Sequence, residues 1–293
     1  CFAIRDEEEE SELAAEDLAL IFDQLEDLRV FEVRINGGEP LMHPDIDKIL
    51  RDLKQRRFRK VILTNGTLID SEKAGLLKQS EVIPTVSLDD CAPEEHELFR
   101  GTKGCFERTK EGMRLLRENE VEFGINCCLH ARNIARHKEI VKTAIRHGAS
   151  RIAFLDLKMS DRLKDHQSWL PSYEDYEKVT LDLAIDRAIY RSKIDVALGT
   201  FLHCDPLEES IREAQRGYVS CRAGKTHLSI DSHGRVYPCN MVLSDPRWEI
   251  GDIRDQPLAT IWFSRKWSFF RGGVKKSDLN KCVQCKDFER CRD

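Results

Sequence analysis

The sequence contains no long hydrophobic run, no excess of basic residues and no internal repeat. Its 293 residues are 41% hydrophobic and 34% charged, a composition typical of a soluble globular protein. The apolar runs are interrupted within a few residues, which excludes a membrane-spanning helix. The 47 basic and 52 acidic side chains give a net charge of −5, which argues against a nucleic-acid-binding surface. We therefore expect a cytoplasmic protein with neither nucleic acid nor membrane as a partner.

Cysteine is the residue that is unusually abundant. Eleven cysteines are too many for an average cytosolic chain and too scattered for a small secreted domain held together by disulfides. They are Cys1, Cys91, Cys105, Cys127, Cys128, Cys204, Cys221, Cys239, Cys282, Cys285 and Cys291. Because the first residue is a cysteine and not a methionine, a targeting signal upstream of it would not be visible here.

Helical patterns alternate with short β-branched runs from Leu13 to about Lys158. This alternation predicts a parallel sheet with right-handed crossovers, and five such units indicate a partial or complete β/α barrel. Ligand-binding residues of such folds gather where strands end. The predicted strands are 30–35, 60–64, 82–88, 122–129 and 151–157. On the fourth of them, the adjacent Cys127 and Cys128 must face opposite sides of the sheet.

The pattern changes after a helix predicted over 176–191. A hairpin over 226–230 and 235–237, an aromatic helix over 258–270 and a cysteine-rich tail follow. We place a boundary near 195–215 and expect one domain over 1–200 and a second over 201–293. Since the second domain is small and poor in long apolar elements, a bound metal would help it to fold.

Three cysteines of the tail form a chelating array. Cys282 and Cys285 are separated by two residues, and Cys291 follows after five more, so that two thiolates can reach one metal from a single turn. Cys221 and Cys239 flank the predicted hairpin of the same domain. Four or five thiolates indicate a zinc ribbon or an iron–sulfur site, with a disulfide pair as the alternative. Composition alone does not separate zinc from iron–sulfur.

A glycine-rich loop follows the first predicted strand. Gly37 and Gly38 would let a ligand approach bare backbone, while Glu39 and Pro40 fix the exit of the loop. Taken alone, the loop is equally well a tight turn.

Together with Cys1, the hairpin cysteines and the tail, this loop resembles the radical S-adenosylmethionine (radical SAM) superfamily, in particular its members with a C-terminal SPASM or shorter twitch extension. The motifs are NGGEPLMHPDI at 36–46, ILTNGTLI at 62–69, SLD at 87–89, EEHELFRGTKGCFERTKEGMRLL at 94–116, LSIDSHGRVYPC at 228–239, IGDI at 250–253 and LATIW at 258–262. The resemblance covers nearly the whole chain. It implies an α/β fold with a partial (β/α)6-type TIM barrel and a small C-terminal SPASM/twitch iron–sulfur domain.

The family binds its catalytic [4Fe–4S] cluster through a C-x3-C-x2-C motif just after the first barrel strand. The resemblance implies that Cys1 is the third of these cysteines, and we expect the first strand and the other two cysteines to precede it. The other implied ligands, for one or two auxiliary [4Fe–4S] clusters, are Cys221, Cys239, Cys282, Cys285 and Cys291. The implied SAM-binding residues are Gly37, Gly38, Glu39, Pro40, Asn65, Ser87, Asp89 and Asn126.

The resemblance also implies the chemistry. In this family the reduced cluster cleaves SAM to methionine and a 5′-deoxyadenosyl radical, which removes a hydrogen atom from an unactivated carbon. An auxiliary cluster would assist net oxidation or cross-linking, with flavodoxin or ferredoxin as electron donor. Asp89, Asp156 and Lys158 are weak candidates for an acid or base, and surface solvation or a salt bridge is the alternative for each.

The substrate implied by residues 94–116 and the tail is a ribosomally made peptide. The cysteine spacing instead resembles that of an aminocyclitol dehydrogenase, which leaves a small sugar-like alcohol as an alternative substrate. Asn240 stands where sulfatase-maturing relatives have an aspartate base, and an amide cannot take that proton, so that activity is disfavoured. A zinc-binding interaction protein without enzymatic activity is the alternative from another class.

Overall fold

The computed structural model describes residues 12–157, 166–197, 222–243 and 245–273, together with 275, 278, 283 and 284. These residues group into two units. One is drawn from Val30–Cys204, and the other from Cys1–Arg29 and Asp205–Asp293. Within the described ranges, no helix is long and apolar enough to cross a membrane.

The first unit is built on six parallel strands that pair in chain order. They are β1 (Glu32–Ile35), β2 (Arg59–Thr64), β3 (Ile83–Ser87), β4 (Gly124–Leu129), β5 (Arg151–Asp156) and β6 (Asp195–Ala197). The first five confirm the strands predicted from β-branched runs. The sixth was not predicted, because three residues are too short for a recognisable pattern. The α/β architecture is confirmed.

Helices connect the strands, as parallel pairing requires. They are α2 (Ile46–Leu53), α3 (Ser71–Gln79), α4 (Pro93–Arg100), α5 (Cys105–Glu118), α6 (His137–His147) and α7 (Tyr173–Tyr190). Local residues define several helix ends. Asp70 caps α3 by accepting a hydrogen bond from the Lys73 N–H at 2.7 Å, and Ser172 and Asp175 form a capping box at the start of α7.

The two faces of the sheet differ in exposure. Each strand pairs with the next one along the chain and crossovers are right-handed, so the helices cover one face of the sheet. Cys127 on β4 is fully buried in that side, whereas its neighbour Cys128 is half-buried on the other. The same alternation separates the buried Phe154 on β5 from Leu155, which is 40% exposed. The prediction that the two cysteines face opposite sides is therefore confirmed, and one face of the sheet is left partly open.

The second unit contains a small antiparallel sheet of β7 (Ser229–Ile230), β8 (Arg235–Tyr237) and β9 (Gly251–Asp252). Asp231 shapes the hairpin turn, because one of its carboxylate oxygens accepts hydrogen bonds from the backbone N–H groups of His233 and Arg235, both at 2.9 Å. The hairpin predicted from the sequence is present.

The single helix predicted over 258–270 is wrong. The chain forms α8 (Leu258–Trp262), a 3-10 turn and then α9 (Ser268–Gly272). The break lets the buried Trp267 donate from its ring nitrogen to the Ile261 carbonyl at 2.7 Å. Phe269 is 56% exposed, so the aromatic residues do not form one buried stripe.

Helix α1 (Ala15–Asp27) belongs to the second unit, although it lies near the start of the chain. The Leu13 N–H donates to the Ser232 carbonyl at 2.7 Å, which links the residue before the helix to the hairpin turn. The Gln24 side-chain oxygen accepts from the Leu258 N–H at 2.6 Å, at the start of α8. Residues from both ends of the chain therefore build this unit.

We predict that Gly112→Ala destabilises the first unit. A Cβ at Gly112, on α5, would lie 2.2 Å from the carbonyl oxygen of Gly66, in the loop after β2. The helix would have to move away from that loop, at a cost of about 1–3 kcal/mol. Gly75→Ala on α3 is the matched control, because a Cβ there meets no atom within 4 Å, and it should be neutral or stabilising by about 0.5–1 kcal/mol. Equilibrium denaturation of both variants tests this, and a Gly112→Ala protein as stable as the wild type would contradict it.

Candidate active site at the carboxyl edge of the sheet

The carboxylate of Glu39 joins the ends of β1 and β2. One oxygen accepts hydrogen bonds from the Thr64 hydroxyl at 2.6 Å and from the Leu41 N–H at 3.2 Å. The other oxygen accepts from the Asn65 N–H at 2.7 Å. Pro40 then begins a short 3-10 turn with Leu41 buried beneath it. The exit of the loop is thus fixed by a charged acceptor that satisfies three donors.

Gly37 and Gly38 lie in the exposed part of this loop. Neither has a positive φ, and a Cβ on either would meet no atom within 4 Å. Neither the backbone conformation nor the packing therefore requires glycine at these positions. The space beside the bare backbone fits a ligand that approaches closely, as the sequence motif implied.

The loop after β2 presents the side chain of Asn65. Its oxygen accepts from the Thr67 N–H at 2.8 Å and from the Thr67 hydroxyl at 2.7 Å. Gly66 has a φ of 76°, and a Cβ there would lie 2.9 Å from a methyl carbon of Val86, so this turn requires glycine. Within the part of the chain that the structure describes, the Asn65 amide nitrogen has no hydrogen-bond acceptor, and it can donate to a ligand.

Ser87 and Asn126 lie side by side on the open face of the sheet. The register pairs Ser87 at the end of β3 with Asn126 on β4, and Asn126 with Ala153 on β5. All three are half-buried. Two of the predicted SAM-binding residues are therefore neighbours, and their side chains form a short polar row that carries no charge.

Asp89 is only 1% exposed and is already engaged. One carboxylate oxygen accepts from the Arg100 Nε at 2.5 Å, and the other accepts from the Cys128 N–H at 2.9 Å. The Asn133 side chain donates to the Asp89 carbonyl at 2.6 Å and to the Cys128 carbonyl at 2.8 Å. In this arrangement Asp89 holds the ends of β3 and β4 together, and its role toward SAM or as an acid or base stays a prediction.

The partners of the Asp89 carboxylate were not predicted from the sequence. The Asp89 N–H donates to Nδ1 of His96 at 3.2 Å, and burial lowers the pKa of His96. His96 and Arg100 are four residues apart on α4, so both side chains lie on one face of that helix and both reach Asp89. That spacing is the signal that sequence reasoning could have used.

His130 follows β4 and lies among aromatic rings. Its ring stacks on Phe99 with 4.5 Å between centroids and lies 4.9 Å from Trp169. Burial lowers the pKa of His130 to about 4, so the ring is neutral at pH 7. The Arg132 N–H donates to Nδ1 at 3.3 Å, which assigns the proton to Nε2. The residues following β3, β4 and β5 thus build an aromatic cluster at this edge.

Of the remaining residues predicted for the site, the structure describes only Asp156 and Cys239. Asp156 ends β5 and is half-buried, and Cys239 follows β8 and is also half-buried. Lys158 and five predicted cluster ligands lie outside the described residues; the latter are Cys1, Cys221, Cys282, Cys285 and Cys291. Among the residues whose placement is described, no group of three His, Cys, Asp or Glu side chains could hold a metal ion. The ligand sets stay predictions.

Family comparison decides the class of this site. The family model of the radical SAM superfamily matches residues 1–144, and that of SPASM, an iron-sulfur cluster-binding domain, matches residues 221–291. The chain belongs to the radical SAM superfamily. It carries a C-terminal SPASM domain, and it is an enzyme that uses SAM and iron–sulfur clusters. The zinc-binding interaction protein is not favoured.

Individual relatives cover most of this radical SAM enzyme. An AdoMet-dependent heme synthase of Methanosarcina barkeri is 29% identical over 247 residues, which are 78% of this chain and 67% of the relative. A PqqA peptide cyclase of Gluconobacter oxydans is 25% identical over 269 residues, 91% of this chain and 72% of the relative. The crystal structure of Streptococcus suis SuiB bound to precursor peptide SuiA has a TM-score of 0.74 at 21% identity, covering 100% of this chain and 67% of that chain. The last likeness shows the fold.

We predict that Glu39→Gln weakens SAM binding. The glutamine amide places an N–H group where a carboxylate oxygen of Glu39 now accepts a hydrogen bond from Asn65 or Thr64. One of these donors then loses its acceptor and the loop loosens, so we expect the affinity for SAM to fall about tenfold. Equilibrium dialysis of SAM with the anaerobically reconstituted enzyme measures the effect. Glu32→Gln on β1 is the control, because its carboxylate pairs only with Arg34 and Arg59 among the described residues and should leave the affinity unchanged. An unaltered affinity in Glu39→Gln would refute the role of this carboxylate in shaping the loop.

Proposed function

We propose that this enzyme oxidises or cross-links a side chain of a ribosomally made peptide by hydrogen-atom abstraction. The observation that carries the reaction type is the uncharged row that Ser87, Asn126 and Ala153 form on the open face of the sheet, near the carboxyl ends of the strands. Removal of a hydrogen atom from carbon needs positioning and exclusion of water, and it needs no acid or base at the reacting atom.

Cys128 extends this uncharged wall, two residues beyond Asn126 on β4. Burial raises the pKa of its thiol to about 12, so the group stays protonated at pH 7 and does not act as a thiolate nucleophile. Asp89 lies behind it with both oxygens engaged. The carboxylate of Asp89 thus holds the backbone in place behind an uncharged row of side chains.

The loops at the carboxyl edge fit the cofactors that the family uses. Gly37 and Gly38 offer bare backbone, and Asn65, Ser87 and Asn126 offer polar side chains for SAM. Cys1 would be one of the ligands of the catalytic [4Fe–4S] cluster, and Cys221, Cys239, Cys282, Cys285 and Cys291 would hold one or two auxiliary clusters. When bound, this set supplies a one-electron cleavage of SAM and removal of a substrate hydrogen atom.

A peptide substrate is supported by the names of two of the similar proteins. The alignment with the PqqA peptide cyclase covers 91% of this chain. The SuiB structure, which has the same fold as this chain, was determined with a bound precursor peptide. A step of heme synthesis is the second candidate, because the Methanosarcina barkeri heme synthase is 29% identical to this chain.

Product analysis distinguishes the substrates. We expect the full-length enzyme, reconstituted anaerobically with SAM and flavodoxin or ferredoxin, to modify a peptide encoded beside its gene. A two-electron oxidation would lower the peptide mass by about two units with release of 5′-deoxyadenosine. Iron coproporphyrin and an aminocyclitol serve as parallel substrates. Consumption of one of these, with the peptide unchanged, would overturn the peptide assignment.

A second prediction concerns the auxiliary cluster. The double variant Cys282→Ala, Cys285→Ala should lose about four irons and all peptide turnover, while SAM cleavage at the first cluster survives. Cys91→Ala is the control, because this thiol is half-buried in the loop before α4 and should leave the iron content unchanged. Iron and sulfide analysis together with a SAM cleavage assay measures both effects. Full iron content in the double variant would remove these two cysteines from the ligand set.

A further inference from the structure

Asn133 is fully buried, and its side chain makes hydrogen bonds to three separate backbone groups. Nδ2 donates to the Asp89 carbonyl at 2.6 Å and to the Cys128 carbonyl at 2.8 Å. Oδ1 accepts from the His130 N–H at 2.8 Å. One amide group thus joins the segment after β3, the last residues of β4 and the turn that follows β4.

These bonds lie where the backbone pairing of β3 and β4 ends. The register pairs the two strands up to Ser87 and Asn126. Two residues farther along each strand, the Asp89 carboxylate accepts from the Cys128 N–H at 2.9 Å, and Asn133 binds the carbonyl groups of both residues. Beyond the paired residues, side chains therefore continue the connection between the two strands.

The three backbone groups require a carboxamide at position 133. Two carbonyl oxygens need N–H donors and the His130 N–H needs an acceptor, and only asparagine and glutamine combine both in one side chain. Glutamine is longer by one methylene, which a fully buried site does not accommodate without strain. The Asn133 N–H donates to the His130 carbonyl at 3.0 Å, so the turn itself brings the side chain back beneath the strand ends.

The two strand ends that Asn133 connects carry groups of the candidate active site. Asp89 is one of the residues implied to bind SAM, and Cys128 lies on the open face two residues beyond Asn126. A shift of either strand end would move these groups relative to each other. A misplacement of about 1 Å between reacting groups can lower a rate about a hundredfold.

We propose that Asn133 is a positioning residue of this enzyme. By holding the segment after β3 on the end of β4, it keeps SAM and the substrate in the arrangement that hydrogen-atom transfer requires. Its side chain has no exposed surface, so it acts through Asp89 and Cys128. The inference rests on the proposed function, in which SAM and the substrate meet at this edge of the sheet.

The ratio of modified substrate to 5′-deoxyadenosine tests this role in the full-length holoenzyme. Unfolded enzyme makes neither product, so a loss of stability alone leaves the ratio unchanged, whereas misplaced groups allow SAM cleavage without modification of the substrate. We expect Asn133→Leu and Asn133→Asp each to lower the ratio about tenfold. Asn119→Ala is the matched control, because the Asn119 side chain donates to the Leu115 carbonyl at 2.9 Å at the end of α5, before the amino end of β4. This control should leave the ratio unchanged.

Hydrogen exchange followed by mass spectrometry gives a readout besides activity. In Asn133→Leu the His130 N–H loses its acceptor, and the segment that contains it should exchange at least about tenfold faster. Asn133→Asp keeps an acceptor oxygen for this N–H and should preserve its protection.

The aspartate variant also predicts a pH response. Ionised, its carboxylate has no hydrogen to donate to the two carbonyl groups, whereas the protonated acid can donate to one of them. Lowering the pH from about 8 to about 6 should therefore raise the product ratio of Asn133→Asp and leave that of the wild type unchanged.

A product ratio at the wild-type value in both variants would overturn the proposal, because Asn133 would then have a structural role alone. A ratio of Asn133→Asp that does not respond to pH would overturn it as well. If Asn133→Leu does not fold, Asn133→Asp decides the question, since its shape is nearly that of asparagine. A wild type that modifies neither the peptide nor the parallel substrates would contradict the proposed function. Equilibrium dialysis of SAM then decides the role of Asn133, and an affinity unchanged in both variants would refute it.

Discussion

The parallel pairing of six strands in chain order is the constraint on which the first unit depends. When each strand hydrogen-bonds to the next one along the chain, every connection must cross back over the sheet, and the right-handed preference puts these crossings on one side. The opposite face is left partly open, and the carboxyl ends of all strands meet at one edge. The polar groups of the candidate site come from the loops that begin at this edge, from the loop after β1 to His130 after β4.

Charged side chains at this edge act mainly on the backbone. Glu39 accepts hydrogen bonds from Thr64 and Asn65, and Asp89 accepts from Arg100 and Cys128, so that each carboxylate joins the ends of two neighbouring strands. Arg100 compensates the charge of Asp89, which lowers the cost of burying that carboxylate, whereas the donors around Glu39 are uncharged. The neighbouring row of Ser87, Asn126 and Ala153 carries no charge, and an uncharged surface suits a reaction at an unactivated carbon–hydrogen bond.

The second unit has few backbone hydrogen bonds within its sheet, because the described strands are only two or three residues long. It takes up α1 from the start of the chain, through hydrogen bonds at Ser232 and Leu258, and it buries Trp267. So small a sheet has little apolar surface to bury, and iron–sulfur clusters held by its cysteines would add covalent restraints that the core alone does not supply.

Much of the fold was predictable because its signals are local. The alternation of helical patterns and β-branched runs predicted five strands, and Cys127 and Cys128 could be assigned to opposite faces from the two-residue period of a strand. Where the local signal is weak, the prediction failed: β6 has three residues, and the helix expected over 258–270 breaks so that Trp267 can reach the Ile261 carbonyl.

The sequence by itself determined the family, because the motif at 36–46 and the spacing of the cysteines are local patterns that can be recognised without the fold. Only the tertiary structure decided which residues hold the site in shape. Thr64 lies 25 residues from Glu39, and Leu258 lies 234 residues from Gln24. Hydrogen bonds between residues so far apart in the sequence depend on the folded path of the chain, and no periodic pattern in the sequence predicts them. The exposure of Leu181, Ile185 and Ile189 on α7 is likewise decided by which face of the helix packs on the first unit, since both faces are apolar.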